Sequence, residues 1–149
     1  MKKILISTFA ISALLLNVSC DTDFDTDVKD VVVTSGEANF SKYVSLGNSL
    51  TSGYRDGALY LDGQNESYPS MIAMQMKLAG GGDFKQPLMP NNVGGFNNLP
   101  GFSGKLVLSV VNGSLTPVPS APAAALDNIS SGAPYQNLGI PGAKSFHLG

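Results

Sequence analysis

The residues best placed to do chemistry stand in the string Gly47-Asn48-Ser49-Leu50-Thr51-Ser52-Gly53-Tyr54. A glycine lets a chain turn sharply where a strand ends, leaving a serine just beyond it with its hydroxyl at the carboxyl edge of a sheet. Such a hydroxyl becomes a nucleophile when a neighbouring base takes its proton, and nearby backbone N–H groups can hold the oxyanion that forms. Gly-Asn-Ser by itself also reads as a plain turn, because Ser and Asn beside glycine favour turns whatever else they do. A second string, Asn137-Leu138-Gly139-Ile140-Pro141-Gly142-Ala143, closes a short apolar run with glycines.

The elements that would position these strings follow from periodicity. Phe40 to Leu46 (F-S-K-Y-V-S-L) alternates as a short strand running into Gly47. Arg55 to Gln64, broken by Gly57 and Gly63, reads as irregular. Ser67-Tyr68-Pro69 then starts a helix, with the proline suited to its first turn. Met71, Ile72, Gln75, Met76, Leu78 and Ala79 fall largely on one face of it, and the methionines are expected as core filler. Gly80-Gly81-Gly82 stops the helix.

From about residue 80 to 134 the composition shifts to Gly, Pro, Asn and Ser, as in an insertion laid over a core. Within it, Lys105–Val111 and Ser114–Val118 flank Asn112-Gly113, which predicts a hairpin with a type I′ turn. Pro117 and Pro119 suggest an edge strand that ends early, and Val118 to Ala125 a loop or linker. Tyr135 onward is expected as a short strand ending in the glycine-bearing turn.

The amino terminus concerns location. Met1-Lys2-Lys3 is basic, and Ile4 to Leu16 is an apolar run interrupted only by Ser7, Thr8 and Ser12. That pattern is a secretory signal, shorter than the roughly 20 residues of a membrane span. Cys20 is the only cysteine among 149 residues, so no intrachain disulfide can form. Its position resembles the acylated cysteine of bacterial lipoproteins, although Asn17 stands where a lipobox usually has Leu. Asp21, Asp23, Asp25, Asp27 and Asp30 then make an acidic tether with little to bury, similar to the surface-export segment of Bacteroidetes lipoproteins.

The expected organisation is signal 1–19, lipid-anchored tether 20–39 and a domain from 40 to 149. The expected location is the cell envelope, as an outer-membrane lipoprotein facing either the periplasm or the outside, with the acidic run as the one feature that points outward. The aspartates lack the glycine and closing glutamate of an EF-hand, so no calcium loop is expected. A net charge of -2, without a Lys/Arg cluster beyond the signal, gives no footprint for nucleic acid.

The longer string V-S-L-G-N-S-L-T-S-G-Y resembles block I of the SGNH, or GDSL, esterase/lipase family, with Asn48 where the family name carries Asp. N-L-G-I-P-G-A is similar to its block II. The resemblance implies a flavodoxin-like three-layer α/β/α fold, here only its N-terminal part with a β-hairpin insertion. It implies Ser49 as nucleophile and one oxyanion donor, with a second donor from Gly142, or alternatively Gly139. From about Phe40 to the end, the chain resembles large Bacteroidetes surface lipoproteins of this family, with a glycine-rich insertion between the two blocks. Implied partners are an ester-bearing small molecule, a lipid or an acylated glycan, with the membrane reached through the Cys20 anchor. No cofactor and no metal are implied.

The family's G-x-N-D and D-x-x-H blocks do not occur. His147 is the only histidine, and Lys144 stands three residues before it where an aspartate would be needed. Asp127-Asn128 precedes block II, the wrong order for the missing pair. The chain therefore reads as part of a longer serine esterase, inactive and only marginally stable alone. The alternative is a surface lipoprotein that binds glycans or other ligands on the same frame without turnover.

Overall fold

The computed structural model describes residues 28–125, 132 and 134–147. The signal, Cys20, the acidic residues up to Asp27, and Asp127-Asn128 lie outside the described residues. The chain divides into two units, Met1–Val32 and Val33–Gly149. In the first, Val28–Asp30 forms a single 3-10 turn.

The second unit is a small mixed α/β structure. Strand β1 (Ser45–Gly47) pairs in parallel with a strand near the carboxyl end, Asn137–Gly139, with Leu46 opposite Leu138. Ser45 N donates to Gln136 O at 2.9 Å and Ile140 N to Gly47 O at 3.0 Å, closing the ladder at both ends. The strand expected over Phe40–Leu46 is thus shorter and sits nearer the glycine. Upstream of Ser45 the chain turns to other partners: Gly82 N donates to Phe40 O at 3.2 Å, and the Tyr43 ring stacks on Phe84 at 5.2 Å.

Three helices follow β1: α1 (Ser49–Ser52), α2 (Leu61–Asn65) and α3 (Tyr68–Leu78). Helix α2 lies in a stretch whose glycines argued for irregular chain. Its first N–H groups find acceptors elsewhere: Leu61 N donates to Asn91 O at 2.9 Å, and Asp62 N to Asn92 Oδ1 at 2.7 Å. Those long-range bonds offset the glycine penalty that local reading weighs. Helix α3 starts as expected, with Ser67 at the N-cap and Pro69 in the first turn.

The buried face of α3 corrects the sequence reading. Pro69 and Ala73, four residues apart, are buried, whereas Met71, Ile72, Met74 and Leu78 are exposed. The small pair lets α3 approach α1 and α2 closely, which turns the longer side chains outward. Met71 and Met74 are therefore surface residues and Met76 is only half-buried, so none of the three fills the core as expected.

The core is correspondingly polar. Ala58, Tyr60, Ala73, Met89 and Ala124 are its buried hydrophobic residues, beside Ser45, Thr51, Ser52, Gln64, Ser67 and Asn137. Gln64 holds the inserted segment by both ends of its amide, with Nε2 to Pro87 O at 2.9 Å and Oε1 from Met89 N at 2.6 Å. Among the described residues no buried side-chain polar atom lacks a hydrogen-bond partner.

Strands β2 (Leu106–Val111) and β3 (Ser114–Pro119) form the expected hairpin, so Asn137–Gly139 is β4. Asn112 (φ 50°) and Gly113 (φ 80°) are both left-handed, as a type I′ turn requires. Strand β3 runs through Pro117 to Pro119 instead of ending early. Antiparallel pairs alternate between bonded and unbonded, and prolines opposite Leu108 and Leu106 fit the unbonded pairs, where no N–H is needed. The expected linker beyond is also structured, since Ala124 pairs with Phe96 and is 1% exposed. Gly113→Ala places a Cβ at a left-handed position and is expected to cost about 1–2 kcal/mol. Chemical denaturation of the two proteins measures it.

Candidate active site

Ser49 opens α1 directly behind Gly47 and Asn48. Asn48 is the N-cap: its Oδ1 accepts from Leu50 N at 3.2 Å and its carbonyl from Ser52 N at 3.0 Å. The residue that departs from the family string thus uses the acceptor oxygen that Asn and Asp share. Gly53, left-handed at φ 77°, ends the helix after four residues. A cap before Ser49 and a stop behind it fix the serine between strand and loop.

Ser49 is half-buried, and its hydroxyl makes no hydrogen bond among the described residues. Its backbone N–H and that of Gly142 likewise donate to no described group. Both residues line one cavity of about 590 Å³, within the ~300–1,000 Å³ range of small-molecule sites. Gly142 has φ 82°, so glycine is favoured there by the backbone, and a Cβ would meet nothing within 4 Å.

Gly139, the alternative donor, does different work. A Cβ there would press on the backbone of α1, 2.6 Å from the Thr51 carbonyl carbon. Its smallness lets β4 lie against α1, and it does not line the cavity. The structure therefore brings Ser49 and Gly142 together and gives Gly139 to packing.

Asn137 ties the two strings to each other. It is 4% exposed, and its Nδ2 donates to Thr51 O and to Gln86 Oε1, both at 2.9 Å. Its Oδ1 accepts from Gly139 N at 3.0 Å. Helix α1 is also tied to α3, with Thr51 Oγ1 and Tyr68 Oη 2.8 Å apart. Hydrogen bonds with Thr51 and Ser45 hold the Tyr68 phenol below its ordinary pKa of 10.0. Neither Asn137 nor Tyr68 lines the cavity, so both are positioning residues.

The loop leaving α1 is fixed by a polar chain. Arg55 Nε donates to Tyr60 Oη at 2.5 Å, and Tyr60 Oη donates to Asp56 Oδ2. Arg55 Nη1 reaches Glu66 at 2.5 Å, and Lys105 Nζ stands 4.4 Å from the Tyr60 ring centre. Burial, then the bond to Asp56, push the Tyr60 phenol above its ordinary value of 10.0. The folded state thus keeps a proton that the unfolded chain releases. That contribution is complete below the ordinary tyrosine value and lost as pH rises past it. Tyr60→Phe breaks the chain and is expected to cost about 1–2 kcal/mol near neutral pH, read from thermal melts.

The rest of the lining is mostly apolar: Ala58, Leu59, Met89, Phe96, Phe102 and Ile140 contribute, and among the described residues no carboxylate, ammonium, guanidinium or imidazole does. Most of these residues belong to the loop after α1 and to the inserted segment, which were not singled out from sequence. The signal available was two aromatics set among glycines in Gly94-Gly95-Phe96 and Gly101-Phe102. His147 sits exposed in the 3-10 turn Ser145–His147, its Nδ1 accepting from Lys144 N at 3.3 Å. It does not line the cavity.

Among the described residues no cluster could hold a metal ion, and no helix is long and apolar enough to cross a membrane. No family model, curated protein or solved structure matches the chain.

Proposed function

We propose that Ser49 is the nucleophile of a serine ester hydrolase of the SGNH type, carried in the cell envelope by a lipid on Cys20. The observation that carries this reading is the cavity shared by Ser49 and Gly142, with the serine hydroxyl and both backbone N–H groups unengaged by described residues. A base takes the Oγ proton as Oγ bonds to the ester carbonyl carbon. The carbonyl oxygen becomes an oxyanion held by the N–H groups of Ser49 and Gly142. As the carbonyl re-forms, the ester C–O bond breaks and the alcohol leaves with the proton from the base. Water then repeats the sequence on the acyl-serine and releases the acid.

The base in this reading is a histidine of a D-x-x-H block outside these 149 residues, since no described residue lining the cavity serves. The complete domain is a flavodoxin-like three-layer α/β/α structure. In support, β1 and β4 are parallel, α1 follows β1, and Leu46 and Leu138 stand side by side 56% and 44% exposed. Parallel sheets are ordinarily covered on both faces, so this bare strip suits a further layer.

The missing base also favours a second reading, a surface lipoprotein that holds its ligand without turnover. Release of p-nitrophenol from short-chain acyl esters by the complete protein separates the two. Turnover is expected, and its absence in a folded protein would leave the binder. These 149 residues alone are expected to show none.

A further inference from the structure

We propose that the cavity beside Ser49 is an acyl-chain site whose wall is built by the inserted segment, so that the insertion selects chain length. This rests on the hydrolase reading for the ester carbonyl, but its test does not depend on turnover. Ser49 and Gly142 come from the turns after β1 and β4, whereas Met89, Phe96 and Phe102 come from the insertion. Reaction and selectivity are thus carried by different parts of the chain.

The chemistry of the lining chooses the ligand. A glycan needs several free hydrogen-bonding side chains and a phosphorylated ligand needs cations; among the described residues the lining has no charged side chain. Of its hydroxyls, that of Tyr54 already donates to Gly57 O at 2.6 Å. What remains is an apolar body with a few unengaged N–H and O–H groups, which matches an alkyl chain ending in one carbonyl or carboxylate. Met89 is 6% exposed, so that part of the wall is fixed, while Phe102 is 52% exposed at an open margin against Phe96, 5.9 Å between ring centres.

The test is displacement of a fluorescent fatty acid from the chain by saturated fatty acids from butyrate to myristate. Affinity is expected to rise about fourfold per methylene, until the cavity is filled, and then level off. Phe102→Asp puts a carboxylate into the apolar lining and is expected to weaken binding at least about tenfold. Leu115→Asp, on the hairpin at a residue 71% exposed and outside the lining, is expected to change it less than about twofold. If Phe102→Asp fails to fold, Ser103→Asp, exposed, within the inserted segment and also lining the cavity, takes its place.

A flat chain-length series, or equal losses in the lining variant and Leu115→Asp, would overturn the acyl site while leaving Ser49-dependent turnover intact. The converse is also distinguishable: full turnover by a Ser49→Ala protein sinks the hydrolase reading and leaves the binding series untouched.

Discussion

Ser49→Ala in the complete protein is expected to lower kcat on p-nitrophenyl butyrate by at least ~10,000-fold, with little change in KM. In the proposed mechanism the Ser49 oxygen forms the covalent bond, and alanine offers nothing in its place. The substitution removes one oxygen that makes no hydrogen bond to a described group, so the fold loses almost nothing. A loss of activity with an unchanged melting temperature therefore reports chemistry and not collapse. Gly142→Ala gives a graded companion result. Its left-handed φ of 82° disfavours a Cβ, and a displaced N–H removes one oxyanion donor. The expected drop is ~100–1,000-fold. Full activity in the Ser49→Ala protein would contradict the assignment.

The second large effect concerns the residue that holds the two strings together. Asn137→Asp keeps the size of the side chain but replaces the Nδ2 donor with an acceptor. The new oxygen would face Thr51 O and Gln86 Oε1, both acceptors, in a site 4% exposed. A buried carboxylate against two carbonyl oxygens is expected to destabilise the fold by about 3 kcal/mol or more near neutral pH. That is a large part of the ~5–15 kcal/mol that holds a typical domain together. Burial raises the folded-state pKa of the new carboxyl above its unfolded value, so the penalty is full above the folded pKa. It fades as pH falls through that value, because a protonated carboxyl can donate again. The melting temperature of the variant, relative to the parent, is expected to climb between about pH 8 and pH 4. A pH-independent difference would show that Asn137 does not act through its donor.

Local signals carried part of this structure into the sequence. Asn112-Gly113 between two extended runs announced the hairpin, and both residues have the positive φ that the pair supplies. Ser67 and Pro69 marked the start of α3. The glycine-flanked serine marked the turn after β1, and the second glycine string its parallel partner. What escaped depends on contacts far along the chain. Helix α2 forms because Asn91 and Asn92, each 30 residues from its partner, satisfy its first N–H groups. Pro69, legible only as a helix starter, and Ala73 take the buried face of α3 from the longer side chains.

The site was legible only as two strings. That they share a cavity depends on Asn137 reaching Thr51 across 86 residues, which no spacing rule announces. The apolar wall from the insertion was equally hidden, because glycine- and asparagine-rich sequence reads as loop unless its aromatics are weighed separately.

On the proposed function, the Ser49 oxygen, set in this cavity, is a reactive nucleophile in the complete protein. Treatment with an alkyl fluorophosphonate followed by peptide mass mapping tests it most directly. One adduct on the peptide carrying Ser49, absent after heat denaturation, is the predicted result; an unlabelled protein, or an adduct on another serine with Ser49 unmodified, would contradict it.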